Sequence, residues 1–159
     1  MSKSLARVRA AMAEAGLPGE PVEMLAGTRT AEEAAAAVGC ALDQIVKSIL
    51  FQGASGRLYL FLTAGGNRVD PALAAALAGE PLGRADGDTV RRVTGFAIGG
   101  VAPVGHLEAL PVWMDPRLTE FAIVWAAAGT PRHVFAVAPD ALVAAAGATV
   151  APFVAEAAG

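Results

Sequence analysis

The sequence predicts one α/β (α+β) domain in which helices surround a central mixed, largely antiparallel sheet. Three observations carry this. The run Ile45-Val46-Lys47-Ser48-Ile49-Leu50-Phe51 is rich in β-formers and is followed by turn residues Gly53–Gly56 and a return strand, Arg57–Thr63. Short segments that begin on cap residues alternate with such strands, and hairpin spacing in the middle of the chain argues against a doubly wound parallel sheet. At 159 residues the chain is long enough to bury a core without disulfides or metals, and one domain over 1–159 is expected.

The elements follow in order. Leu5, Val8 and Met12 fall on one helical face, so Ser4–Ala15 reads as a helix ended by Gly16. Pro21–Leu25 is a short strand. Thr30 is an N-cap for Ala31–Val38, with Glu33 placed for a capping box and Gly39 as the stop. A helical turn, Ala41–Gln44, precedes the 45–51 strand. Gly65-Gly66-Asn67 is a turn; Asp70 caps a helix from Pro71 to Ala78. Asp86 or Asp88 caps a helix through Val93. Leu110–Met114 is a strand, Asp115-Pro116 a turn, Phe121–Ala127 a strand, Gly129-Thr130-Pro131 a turn and His133–Ala138 a strand. A helix over Asp140–Ala146 and a strand over Ala148–Ala151 complete the fold.

Composition excludes several classes of function. Hydrophobic residues make up 55%, much of it alanine, but the longest uncharged stretches, Val93–Leu107 and Ala141–Ala155, are shorter than the ~18 residues a membrane span needs. The first residues carry Lys3, Arg7, Arg9 and Glu14 and no apolar core of a secretory signal. Cys40 is the single cysteine, which rules out an internal disulfide framework. A soluble cytoplasmic protein is expected. With 12 basic and 15 acidic residues, net charge −3, a general nucleic-acid binder is disfavoured, because such affinity rests on neutralising many phosphates. Sequence-specific DNA binding would need a basic helix, and in Asp86–Val93 the pair Arg91 and Arg92 is balanced by Asp86 and Asp88. Contact with only the end of a nucleic acid stays open; Arg68, Arg84, Arg91, Arg92 and Lys47 could form a local patch.

Thr94–His106 packs four glycines, one proline and one histidine into thirteen residues. A stiff, apolar, glycine-rich loop can present backbone groups to a small ligand; it can equally be a buried turn between core strands. Lys47 interrupts an apolar strand, sharing its face with Ile45 and Ile49. Its ammonium must reach water, a partner or a substrate, or else it protects an edge strand from aggregation. His106 reads as a surface turn residue. His133 begins a strand beyond a Gly/Pro turn, where it could face a cleft or pack in the core. Two histidines so far apart and one cysteine give no metal-ligand spacing, and no nucleophile elbow, Walker loop or dinucleotide fingerprint is present. No cofactor is implied. Cys40 follows a helix C-terminus, which does not favour a thiolate, and reads as a small buried hydrophobe. Asp70 and Asp115, each before a proline, read as cap and turn residues. Trp113 and Trp125 suit either a core or an interface.

Taken together, Gln44–Ser48, Asn67–Asp70, Thr94-Gly95-Phe96 running into Gly99–Gly105, and Ala128-Gly129-Thr130 resemble the YbaK/EbsC-type family, itself similar to the editing domain inserted in bacterial prolyl-tRNA synthetases. The resemblance spans about residues 20–150. It implies a barrel-like mixed sheet and hydrolysis of the ester joining a wrong amino acid, such as Ala, Cys, Ser or Thr, to the end of a tRNA, most often a proline tRNA. Lys47 matches the family's pocket lysine, Gly99–Pro103 matches its Gly-x-x-x-Pro loop, and His133 stands near the position of a histidine in the synthetase insert. The backbone N–H groups of Gly99, Gly100 and Val101 suit a developing oxyanion. Lys47 would hold a phosphate or ribose or orient the substrate, with water as nucleophile. Ile45, Ile49 and Phe96 would line the pocket, beside Pro103, Gly129, Thr130 and His133. The implied partner is the acceptor end of a mischarged tRNA; whether an aminoacyl-tRNA synthetase is a further partner stays open. The rival reading is a binding module that holds a tRNA end, a nucleotide or an amino acid without cleaving it.

Overall fold

The first helix of the computed structural model, which describes residues 3–24 and 30–155, is α1 (Lys3–Glu14), and it turns Leu5, Val8 and Met12 inward. Strand β1 (Val22–Glu23) is shorter than the expected 21–25; Leu25 lies outside the described residues. Helix α2 (Ala31–Val38) starts at Thr30, whose Oγ1 accepts the Glu33 N–H at 3.1 Å. The Thr30 hydroxyl donates to Glu33 Oε1 at 3.2 Å, so the glutamate meets the cap hydroxyl.

A 3₁₀ turn (Leu42–Gln44) leads into β2 (Ile45–Gly53) and its antiparallel partner β3 (Leu58–Ala64). Helix α3 (Pro71–Ala78) is capped by Asp70, whose Oδ1 accepts the Ala72 N–H at 2.9 Å. Strand β4 (Leu82–Arg84), unforeseen in the sequence, pairs with the far end of β2. Helix α4 (Gly87–Thr94) starts on Asp86, not Asp88: Asp86 Oδ2 accepts the Thr89 N–H at 3.1 Å. Strand β5 (Val112–Met114) is shorter than expected; Pro111 has no N–H to give a ladder, though its carbonyl accepts the Leu60 N–H at 3.0 Å. A 3₁₀ turn (Pro116–Glu120) delays β6 to Val124–Ala127. Strand β7 (His133–Val137), helix α5 (Pro139–Ala146) and β8 (Ala148–Val150) follow.

The sheet runs β1-β7-β6-β2-β3-β5-β8. Pairs β1–β7, β6–β7, β2–β3 and β2–β4 are antiparallel; β2–β6, β3–β5 and β5–β8 are parallel. The outer strands β1 and β8 do not pair, so the mixed sheet stays open. β3 is buried on both faces, as a central strand should be. Leu58, Leu60 and Leu62 pack with α1, Phe96, Val101 and Val104. Tyr59 and Phe61 pack on the opposite face with Ala74 of α3 and Phe153. A smaller cluster places Ile45 against Ala34 and Ala35 of α2, with Met24 and Val134.

Candidate active site

β2 has strands on both sides, so Lys47 does not stand on a rim strand of the sheet, although one edge of β2 is open beside it. One edge of β2 is covered by β3 along positions 46–52. Its other edge is covered by β6 only at Ile45–Val46 and by β4 only at Phe51–Gly53, so no strand pairs with that edge at 47–50. Leu60 N–H and Leu62 C=O bond toward β5, so β3 turns its odd-numbered residues toward β2. With Thr63 opposite Lys47, the even-numbered residues of β2 then bond outward. Ser48 therefore presents its backbone to the gap. Its buried hydroxyl has no hydrogen-bond partner among the described residues, an uncommon state for a buried polar atom.

A pocket of about 300 Å³ opens at this gap. Ile45, Lys47, Ser48 and Ile49 of β2 form its floor; Gly99 and Val101 come from the glycine-rich loop, and Thr130 and His133 from the β6–β7 connection. Met24, Ala34, Trp125 and Val134 add an apolar wall. Thr130 Oγ1 and His133 Nδ1 are 2.6 Å apart, which ties the two pocket side chains together. Among the described residues half-buried Lys47 makes one hydrogen bond, from Nζ to the Asn67 carbonyl oxygen at 2.5 Å. An ammonium has three donors, so two remain for a ligand. Desolvation pushes the Lys47 pKa below the ordinary lysine value, and Arg68 adds to this; Glu32, Asp43 and Asp115 favour the charged form and oppose it.

Some expected pocket residues lie elsewhere. Phe96 is fully buried in the main core. Its ring faces the Arg7 guanidinium at 5.4 Å and meets His106 edge-on, so it buttresses the loop and does not line the pocket. Pro103 and Gly129 are buried away from the pocket. Gly100 N–H is donated to the Ala97 carbonyl at 3.0 Å, so it closes a turn and is not free for an oxyanion. A Cβ on Gly100 would lie 3.1 Å from the Thr130 backbone; the glycine lets the loop pack directly on the β6–β7 connection. His106 is no surface residue: it is half-buried, its Nε2 donates to Ala102 O at 2.7 Å, and burial pushes its pKa down. Cys40 is only half-buried; desolvation raises its pKa, and its Sγ–H donates to the Ala41 carbonyl.

Sequence reasoning missed Met24, Ala34, Ser48 and Trp125. Ser48, directly after the lysine of a noted motif, carried a signal; the other three come from separate elements and carried none.

Fold and pocket together define an α+β domain that brings one ammonium group and a glycine-rich loop into the lining of one pocket. The chain belongs to the aminoacyl-tRNA editing domain family, whose signature covers residues 26–145. A solved structure described as a candidate trans-editing enzyme for prolyl tRNA synthetase superposes with a TM-score of 0.91 at 48% identity, over 98% of this chain and 99% of that one. A structure from work on epitope backbone grafting onto scaffold proteins gives a TM-score of 0.92 at 46% identity, over 98% of this chain and 100% of that one. The uncharacterized protein YwhH of Bacillus subtilis is 28% identical over 139 residues, 87% of this chain and 88% of that protein. No described helix is long and apolar enough to cross a membrane.

Proposed function

We propose that this protein is a trans-acting aminoacyl-tRNA deacylase, acting on proline tRNA that carries a small wrong amino acid such as Ala, Cys, Ser or Thr. The observation that carries the reading is the placement of Lys47 and the Gly99–Val101 segment in the walls of one pocket. Family membership and the likeness to the candidate trans-editing enzyme support it.

Water attacks the ester carbonyl carbon, and the acyl C–O bond to the terminal ribose breaks. The water's proton goes to the departing ribose oxygen, releasing free amino acid and intact tRNA. The carbonyl oxygen gains negative charge on the way, and the N–H groups of Gly99 and Val101 are the candidates to receive it. Lys47, with two donors free, holds the terminal phosphate or ribose and orients the ester. Among the described residues no serine or cysteine pairs with a histidine; the one such hydroxyl is Thr130, tied to His133, and in this reading that pair lines the pocket, Lys47 is a positioning charge and water is the nucleophile. The small volume and the wall of Ile45, Trp125 and Val134 select by size, worth about 1–3 kcal/mol per methylene.

The test is deacylation of proline tRNA charged in turn with Ala, Cys, Ser, Thr and Pro, with Lys47→Ala as control. Hydrolysis of one or two wrong amino acids, prolyl-tRNA spared and the control inactive, is the expected result. A stable complex with every charged tRNA and no hydrolysis would replace deacylation with the binding-module reading.

A further inference from the structure

The Asn67 carbonyl that holds Lys47 belongs to the turn after β3, and a buried carboxylate on another strand end fixes that turn. Asp115, 1% exposed, directs Oδ1 to its own 3₁₀ turn, accepting the Arg117 N–H at 2.9 Å. That bond alone satisfies a cap. Its Oδ2 faces away, accepting the Ala64 N–H at 3.1 Å and Asn67 Nδ2–H at 2.9 Å. Asn67 N–H closes the turn on Ala64 O at 2.9 Å, and Asp43 Oδ1 clamps it from the other side through the Gly66 N–H at 2.8 Å. Gly65 is required there, because any Cβ would run into the Leu42 carbonyl.

We infer that Asn67 and Asp115 are positioning residues that set the place of the Lys47 ammonium in the pocket, a role that rests on reading Lys47 as part of the editing site. Fixing a free lysine side chain costs rotamer entropy. Here one carbonyl holds it, and the charge-assisted bonds from Asp115 hold that carbonyl's turn. The charged groups that act on Lys47 come from several neighbouring elements, Glu32 on α2, Asp43 on the 3₁₀ turn, Arg68 beyond β3 and Asp115 after β5, and His133 of β7 lines the same pocket. Removing the Asp115 charge, or loosening the Asn67 carbonyl, withdraws support for the charged form. The neutral amine then becomes more populated.

Lys3 and Lys47 are the only lysines, so exposed Lys3 is a built-in reference. The experiment is competitive acetylation with acetic anhydride across pH, read by peptide mass spectrometry as the Lys47 to Lys3 ratio, in wild type, Asn67→Ala and Asp115→Asn. A several-fold higher ratio at neutral pH and a lower pH midpoint for Lys47 are expected in both variants. Should Asp115→Asn fail to fold, Asn67→Ala alone decides, since it keeps the carbonyl group and the buried carboxylate and removes only the side-chain bond that ties the turn to Asp115. Single-turnover deacylation adds a second readout. Asn67→Ala should lower the saturating rate roughly ten-fold, as expected for a displaced catalytic group, with half-saturation changed less than about two-fold. It should have no further effect in a Lys47→Met background, where the ammonium is gone. An unchanged ratio and midpoint in folded Asn67→Ala would overturn the inference, as would an additive loss in the double variant. A wild type inert toward every charged tRNA, with the labelling shift intact, would overturn the editing reading and leave the positioning of Lys47 standing.

Discussion

At the scale of single residues the chemistry concentrates on Lys47. Deleting its ammonium removes a donor that lines the pocket but no core packing. Lys47→Met should lower deacylation roughly 10²-fold, the size seen for losing one preorganised donor, while shifting the melting temperature by less than about 4 °C. A larger melting shift would mean that the lysine is structural. His106 gives the contrasting case, a titrating group that supports the loop and does no chemistry. Burial lowers its folded pKa beneath the unfolded value near 6.5, even though its bond to Ala102 favours the charged form. The unfolded chain therefore binds more protons in the window below about 6.5, and stability falls as pH drops through it. Thermal melts from pH 7.5 to 5.5 should show this decline in wild type, and His106→Gln, which keeps a donor for the Ala102 carbonyl, should flatten it.

At the scale of elements the glycine-rich loop acts as a wall whose position depends on its contact with the β6–β7 connection. Gly100→Ala would press a methyl onto the Thr130 backbone at 3.1 Å, and backbone cannot swing aside as a side chain can. The expected outcome is a stability loss of about 1–3 kcal/mol, as for overpacking, with a larger proportional loss of deacylation because Gly99 and Thr130 both line the pocket. Equal rates in wild type and Gly100→Ala would detach that packing from function. The same contrast between local and distant contacts explains how much could be read in advance. The caps at Thr30, Asp70 and Asp86 were legible because a cap and its N–H groups lie within three residues of each other. Lys47 and the Gly99–Val101 loop were legible because a charge in an apolar strand and a glycine-dense apolar loop are locally costly. Strand β4 was not: three residues, Leu82-Gly83-Arg84, carry no period, and only the free end of β2 makes them a strand. Phe96 was misplaced because its sequence neighbourhood shows that it is near the loop but not on which side. Asp115 was half legible: its cap to Arg117 is local, whereas its bonds to Ala64 and Asn67 cross about fifty positions of chain.

At the scale of the whole molecule, charge sets how much of a nucleic acid the protein can hold. A net charge of −3 opposes a long phosphate track, and among the described residues the basic groups nearest the pocket are few: Lys47 itself, Arg68 and Arg132, which stands between the lining residues Pro131 and His133. A protein that grips only the acceptor end should neutralise about two or three phosphates. The logarithm of deacylation efficiency should then fall with the logarithm of salt concentration at a slope of about −2 or shallower, given roughly 0.7 per phosphate on a single strand. Rates measured from 50 to 300 mM salt at subsaturating protein would read this slope directly. A slope steeper than about −4 would require contacts along the tRNA duplex, and with them a basic surface that this chain would have to assemble from scattered arginines such as Arg84, Arg91 and Arg92. A shallow slope would place discrimination inside the pocket, where, on the proposed reading, Lys47 would hold the end of the tRNA and the apolar wall of Ile45, Trp125 and Val134 would measure the side chain attached to it.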